Sequence, residues 1–224
     1  MTVKKFVPVY EGELRKHSIQ VPRCISECSG IRVFGRRIKS LVFSTDVAII
    51  KNINADAIIA VYPFTPQPAI TQAIIGVSEV PVFCGVGGGL TNGVRSASMA
   101  AYVEHQGAYG VVCNSKIGVE TIHAIKDAVE IPVVYTVISE NTDIQPYLTA
   151  GVDIINVSGA ARTPEIVGAL RQRYPELPII ATGGPTEESI LATIRAGANA
   201  ITYTPPSSAS LFAKTMADNR SELE

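Results

Sequence analysis

From residue 41 onward the chain alternates short, continuously apolar runs with longer amphipathic stretches. The runs predict strands at Leu41–Ser44, Ala57–Tyr62, Val80–Gly85, Tyr109–Cys113, Ile131–Val137, Asp153–Val157, Pro178–Thr182 and Asn199–Thr204. Apolar residues fill them without alternation, as in parallel strands covered on both faces. The intervening stretches carry helical spacing, with Val119, Ile122, Ile125 and Val129 in one and Ile190 and Ile194 in another. Thr65-Pro66 and Thr163-Pro164 read as an N-cap followed by an N1 proline, Pro185 opens a further helix, and Asp46 reads as an N-cap. Gly107, Gly151 and Gly197 fall just past expected helix ends.

The pattern repeats. Val80-Pro-Val-Phe83, Ile131-Pro-Val-Val134 and Leu177-Pro-Ile-Ile180 open three strands alike. Between them, strands open on small-residue turns: Asn54-Ala-Asp-Ala-Ile-Ile59, Gly107-Ala-Tyr-Gly-Val-Val112, Gly151-Val-Asp-Ile-Ile155 and Gly197-Ala-Asn-Ala-Ile201. The two signatures alternate every two βα units, which predicts an α/β fold, a single closed (β/α)8 barrel over residues 41–224. An open doubly wound sheet would need a strand-order reversal that a uniform repeat does not suggest. Residues 1–40 stand outside the repeat. Ile31-Arg-Val-Phe-Gly35 and Arg37-Ile-Lys-Ser-Leu-Val-Phe43 predict a short β-containing extension, packed on the N-terminal mouth or making a subunit contact.

Composition narrows the function classes. At 224 residues, 46% hydrophobic and 17% charged, the chain suits one globular domain. Its net charge of −1, with scattered Lys and Arg, predicts no nucleic-acid or membrane-surface partner. The opening Met-Thr-Val-Lys-Lys-Phe leads to Pro8 rather than to a signal core, so a cytoplasmic protein is expected. Cys24, Cys28, Cys84 and Cys113 lack zinc-site spacing. His17 with Cys24 and Cys28 is the one conceivable ligand set, and reduced structural cysteines with no metal are expected instead.

Barrel chemistry sits on the loops after the strand C-termini. Those ends are polar but poor in ionisable groups. Catalytic candidates are Tyr135, Glu140, Asn156, Cys84 and Lys116: acid–base groups, a carbonyl-orienting amide, a thiol and a charge partner for an anionic substrate. Each has a plain alternative. Glu140 reads equally as a first-turn helix acid, Lys116 as a solvated loop lysine, and the tyrosines as half-buried rings. Tyr62, Tyr203, Gly87, Gly88, Asn114 and Thr182 are candidate pocket residues. Gly85-Val-Gly-Gly-Gly89 misses dinucleotide-loop spacing because residue 90 is Leu. None of the three histidines falls at a strand end, so a Ser-His-Asp arrangement is hard to build.

The stretch Ala181-Thr-Gly-Gly-Pro-Thr-Glu-Glu-Ser-Ile190, followed by Gly197-Ala-Asn-Ala-Ile201, resembles the phosphate site of the phosphate-binding TIM barrels, the ribulose-phosphate-binding and IMP dehydrogenase-related group. The resemblance spans the barrel from about residue 41 to 213. It implies that the Gly183 and Gly184 amides bind phosphate, with Ser207 and Ser208 donating at the last helix. Thr202-Tyr-Thr-Pro-Pro-Ser-Ser208 departs from the group's pattern, because Pro205 and Pro206 carry no N–H. The implied function is binding of a small phosphorylated metabolite by a metal-independent isomerase or lyase, as a possible homodimer or higher homo-oligomer. Alternatives are a non-catalytic phosphometabolite-sensing barrel, a hydrolase, or an FMN-binding barrel with the FMN phosphate at the seventh and eighth loops.

Overall fold

A computed structural model describes residues 6–10, 12–13 and 18–221. Eight parallel strands close into a barrel: β3 (Ser40–Phe43), β4 (Ala57–Ala60), β5 (Val82–Gly87), β6 (Gly110–Cys113), β7 (Val133–Val137), β8 (Ile154–Val157), β9 (Ile179–Thr182) and β10 (Ala200–Tyr203). β10 pairs with β3 through Ile201–Ser40, Thr202–Leu41 and Tyr203–Val42, which closes the ring. Eight helices alternate with the strands: α1 (Val47–Lys51), α2 (Pro68–Val77), α3 (Val94–His105), α4 (Val119–Lys126), α5 (Gln145–Thr149), α6 (Thr163–Arg173), α7 (Glu187–Arg195) and α8 (Ser208–Ser221). The (β/α)8 expectation holds, with a small antiparallel sheet ahead of it.

Strand parity divides the core in two. Leu41, Ile59, Phe83, Val112, Val134, Ile154 and Ile180 point inward and pack on one another. Their neighbours Val42, Ile58, Cys84, Val111, Cys113, Tyr135, Ile155 and Ile201 point outward, under the helices. Through this layer the strands are apolar on both sides, as strands covered on both faces are.

The antiparallel sheet is a hairpin of β1 (Ile31–Val33) and β2 (Arg36–Ile38). Its turn residues Phe34 and Gly35 have φ of 45° and 80°, the twist a two-residue hairpin requires. Val33 and Ile38 join the inward cluster, so the hairpin plugs the N-terminal end of the barrel. Phe34 stacks edge-on against Tyr109 at 5.6 Å.

The small-residue turns of the repeat have a structural cause at that same end. Asp56 Oδ2 accepts the Ser40 amide at 3.0 Å, Asp153 Oδ2 the Val133 amide at 2.9 Å, and Asn199 Oδ1 the Ile179 amide at 2.9 Å. In each case a short polar side chain satisfies an N–H at the start of the preceding strand, a donor whose burial without a partner would be costly.

Helix punctuation is mostly as expected. Gly107, Gly151 and Gly197 take φ of 92°, 106° and 110° just past α3, α5 and α7. Asp46 caps α1 by accepting the Ala48 and Ile49 amides. The start of α2 differs, with Gln67 as the cap residue and Pro68 in the first turn. Thr65 and Pro66 instead line the mouth, since a second proline two residues on gives the helix its favoured start there.

Candidate functional site

A cavity of about 790 Å³ opens at the C-terminal end of the strands. Inward parity puts Thr136, Asn156, Thr182 and Thr202 at its floor, one layer above the apolar interior. Phe43, Ile59, Val61 and Val112 form its apolar walls, and Phe64, Leu90 and Ile138 its exposed rim. The β5 side is shaped by an irregularity between Gly85 and Gly87. There Gly88 donates to Thr91 O at 2.9 Å, and a Cβ on Gly88 would lie 2.7–2.9 Å from Asn114. Only glycine allows those two loops to pack together.

Among the described residues that line it, none is an acid, a base or a histidine, and Tyr62 is the one ionisable side chain. Its hydroxyl is engaged, accepting the Gln67 amide at 2.8 Å. The floor is unsatisfied. Asn156 Nδ2 donates to Thr136 Oγ1 at 3.3 Å, yet Asn156 Oδ1 and Thr202 Oγ1 are buried without a partner. A buried polar atom left unpaired costs about 1–3 kcal/mol, and two such atoms meet at this floor.

Of the residues expected from the sequence, the structure gathers Asn156, Tyr62, Gly87, Asn114 and Thr182 around this cavity. It places the others elsewhere. Tyr135 has outward parity: it is 1% exposed, stacks on Tyr147 at 4.0 Å and donates to Ser115 O at 3.2 Å. Burial pushes its phenol above the ordinary range, against proton exchange with a ligand. Cys84 is fully buried on the helix side, where desolvation raises its thiol to about 12; Cys113 is placed alike. Neither forms a thiolate near neutral pH. Tyr203 likewise packs into the outer layer, and Gly88 lies behind the wall. Lys116 is exposed off the cavity, its amide donating to Asn114 Oδ1 at 3.3 Å.

Glu140 lies two residues beyond Ile138, outside the cavity lining, and pairs with Arg162, which also holds Glu165 at 3.3 Å. The backbone amide of Glu140 itself and then the Arg162 bond keep its carboxyl below the ordinary range, so it is a poor base. It does not lie in the first turn of α5, which begins at Gln145.

The phosphate position implied by the sequence is already engaged. The Gly183 amide donates to Thr202 O at 3.2 Å, and a Cβ there would meet Ile190 and Ile201 at 2.7 Å. Gly184, with φ of 83°, makes the turn, and Thr186 and Ser189 cap α7 reciprocally. Glu187 and Glu188 fill the first turn of α7. At the eighth loop the Ser208 hydroxyl donates to Asp46 Oδ2, while Ser207 Oγ pairs with Ser210 Oγ at 2.8 Å. Acidic side chains stand at both loops, Asp46 against Ser208 at the eighth and Glu187 and Glu188 in the first turn of α7 at the seventh.

The sequence offers Thr136 at the end of the fifth strand but gives no sign of Thr202, because continuous apolar strands conceal which parity faces inward. Arg162 was overlooked as the sixth-loop cation because it lies four residues beyond Ser158. Among the described residues no three His, Cys, Asp or Glu side chains gather to hold a metal. His17 lies outside the described residues, and Cys24 and Cys28 are free. No helix among the described residues is long and apolar enough to cross a membrane.

No protein-family model matches the sequence, and no curated protein matches it. Solved structures share the fold. A 2,3-dimethylmalate lyase of the PEP mutase/isocitrate lyase superfamily superposes with a TM-score of 0.63 at 14% identity, covering 90% of this chain and 85% of that one. A phosphonopyruvate hydrolase in complex with oxalate and Mg++ gives 0.61 at 16% identity, over 82% and 80%. A phosphoenolpyruvate phosphomutase from Streptomyces platensis subsp. rosaceus gives 0.60 at 16% identity, over 81% and 80%. At such identities the likeness establishes the barrel architecture.

Proposed function

We propose that this barrel binds a small phosphorylated metabolite at its C-terminal mouth, with the uncharged body of the ligand seated on the Asn156–Thr136–Thr202 floor. The observation that carries the reading is the polar floor of the 790 Å³ cavity, where Asn156 and Thr202 line the space and Asn156 Oδ1 and Thr202 Oγ1 lie buried without a partner among the described residues. A small side-chain turn would present these groups to a ligand N–H or O–H, and the apolar walls take its carbon skeleton. The phosphorylated class is supported by the names of the fold relatives, a phosphomutase and a phosphonopyruvate hydrolase.

Binding has more support than turnover. An isomerase or lyase must move a proton or break a carbon bond next to a group that can take up charge. Among the described residues Tyr62 is the only ionisable one that lines the cavity, and Glu140 lies two residues beyond the lining residue Ile138. The isomerase or lyase reading is favoured by the lyase and mutase among the relatives, and Tyr62 is its acid–base candidate. The Mg++ in one relative's complex has no counterpart ligand set among the described residues, where the cavity lining holds no carboxylate.

A thermal-shift panel of sugar phosphates and their unphosphorylated parents tests the reading. A phosphorylated member should raise the melting temperature of the wild type and leave Asn156→Leu unmoved. Recovery of that ligand intact after long incubation supports binding alone, and its conversion supports the enzyme. No shift with any member rejects the proposal.

A further inference from the structure

We infer that the anionic end of the ligand is taken by Arg162, exchanging with Glu140, and not by the N-terminus of α8. This rests on the phosphorylated-ligand reading above. The start of the last helix is already partly spent, because Ser207 Oγ accepts the Ser210 amide at 3.1 Å and Ser208 Oγ is given to the Asp46 carboxylate, whose other oxygen caps α1. An anion arriving there would have to displace a charge of its own sign. The seventh loop is no better, with Glu187 and Glu188 in the first turn of α7.

Arg162 is differently placed. It stands four residues beyond Ser158, which lines the cavity, and its partner Glu140 stands two residues beyond Ile138, which also lines it. The ion pair thus joins the loops after β8 and β7, the strands that supply Asn156 and Thr136 to the floor. Arg162 spends Nη2 on Glu140 and Nε on Glu165, while Nη1 has no partner among the described residues. Its side chain is 58% exposed, so exchange needs no unpacking. The loop that carries it is held in an unusual shape: Ala160 has φ of 51°, and the Gly159 amide is tied to Thr163 Oγ1 at 3.1 Å. Backbone held in the left-handed region by a non-glycine residue is typical of positions fixed for a task. A guanidinium presents a planar fork that matches phosphate, and a carboxylate already resting on it is a stand-in of like charge.

Opposite effects from the two members of one ion pair provide the test. Inorganic phosphate and glycerol 3-phosphate are titrated calorimetrically at low ionic strength into the wild type, Arg162→Gln, Glu140→Gln and Asp46→Asn. Loss of a charge-assisted fork should weaken binding about tenfold in Arg162→Gln, while removal of the competing carboxylate tightens it in Glu140→Gln. Asp46→Asn should bind as the wild type does. An ion pair that merely staples two loops would give no such opposition. If Arg162→Gln binds like the wild type, or if Asp46→Asn is the variant that tightens, the Arg162 assignment is overturned and the phosphorylated-ligand reading stands. If neither probe binds any of the four proteins, the phosphorylated-ligand reading itself fails.

Discussion

The hydroxyl of Ser208, at the start of the last helix, donates to the carboxylate of Asp46, at the start of the first. Asp46 Oδ1 meanwhile accepts the Ala48 amide at 2.9 Å and the Ile49 amide at 3.3 Å. One side chain therefore caps α1 and ties it to α8 across the seam where β10 meets β3. Replacing Asp46 by Ala removes the cap and the tie together. A lost N-cap costs about 1 kcal/mol, so the urea midpoint should fall by that equivalent with the slope unchanged.

The same carboxylate sets an acid limb of stability. The Ser208 hydrogen bond first, then the Ile49 and Ala48 amides, hold Asp46 below its ordinary 3.8. A group with a depressed folded value binds fewer protons folded than unfolded, so its contribution is complete above the unfolded value and disappears as pH falls through the folded one. Wild type and Asp46→Asn should differ in denaturant midpoint near about pH 6 and converge toward about pH 2. A constant difference across that range would show that the Asp46 charge contributes nothing.

The floor of the cavity trades stability for binding. Thr202 Oγ1 is buried and unpartnered, so Thr202→Val replaces an unmet hydroxyl by a methyl of similar shape. Relief of such a group is worth about 1 kcal/mol, and the ligand-free variant should melt higher than the wild type while losing ligand-induced stabilisation. A variant that melts lower would mean that Thr202 is satisfied within the free protein.

The fold was legible because its punctuation is chemical. Gly107, Gly151 and Gly197 end helices at φ values that favour glycine, and Asp56, Asp153 and Asn199 recur because each satisfies a strand-start amide. The site was less legible because it depends on parity. Tyr135 and Thr136 are neighbours in sequence, and one lies under the helices while the other faces the cavity. In a strand apolar on both faces, hydrophobicity gives no sign of which is which. The pairing register does: Thr136 sits across from Asn156, and Thr182 across from Thr202. The Gly183-Gly184 turn is ambiguous for another reason. A tight βα turn and a phosphate cradle use the same residues, and here the Gly183 amide is given to Thr202 O.

Thiol reactivity should follow burial. The protein has four cysteines, all free, of which Cys28, Cys84 and Cys113 are buried and only Cys24 is partly exposed. Desolvation raises Cys28 to about 11 and both Cys84 and Cys113 to about 12. Titration of the native protein with an aromatic disulfide near neutral pH should modify Cys24 alone, with the other three following on denaturation. Rapid labelling of Cys84 in the folded protein would restore it as a nucleophile candidate.

Gly183 distinguishes packing from ligand contact most sharply. Its φ is unremarkable, so alanine is conformationally acceptable there, but the added Cβ would lie 2.7 Å from both Ile190 on α7 and Ile201 on β10. Both neighbours are buried side chains that cannot swing out to solvent. Overpacking of this kind costs about 1–3 kcal/mol, so Gly183→Ala should lower the denaturation midpoint. Gly184→Ala strains a left-handed turn, at a cost of about 1 kcal/mol, and its added Cβ would also lie 2.6 Å from Ser189 Oγ and 2.9 Å from Ser189 Cβ, so the α7 cap must shift as well. If these glycines serve only the turn and its packing, phosphate affinity should survive in both variants at temperatures where they remain folded. A Gly184→Ala protein that is fully folded yet has lost phosphate would return the anion to the seventh loop.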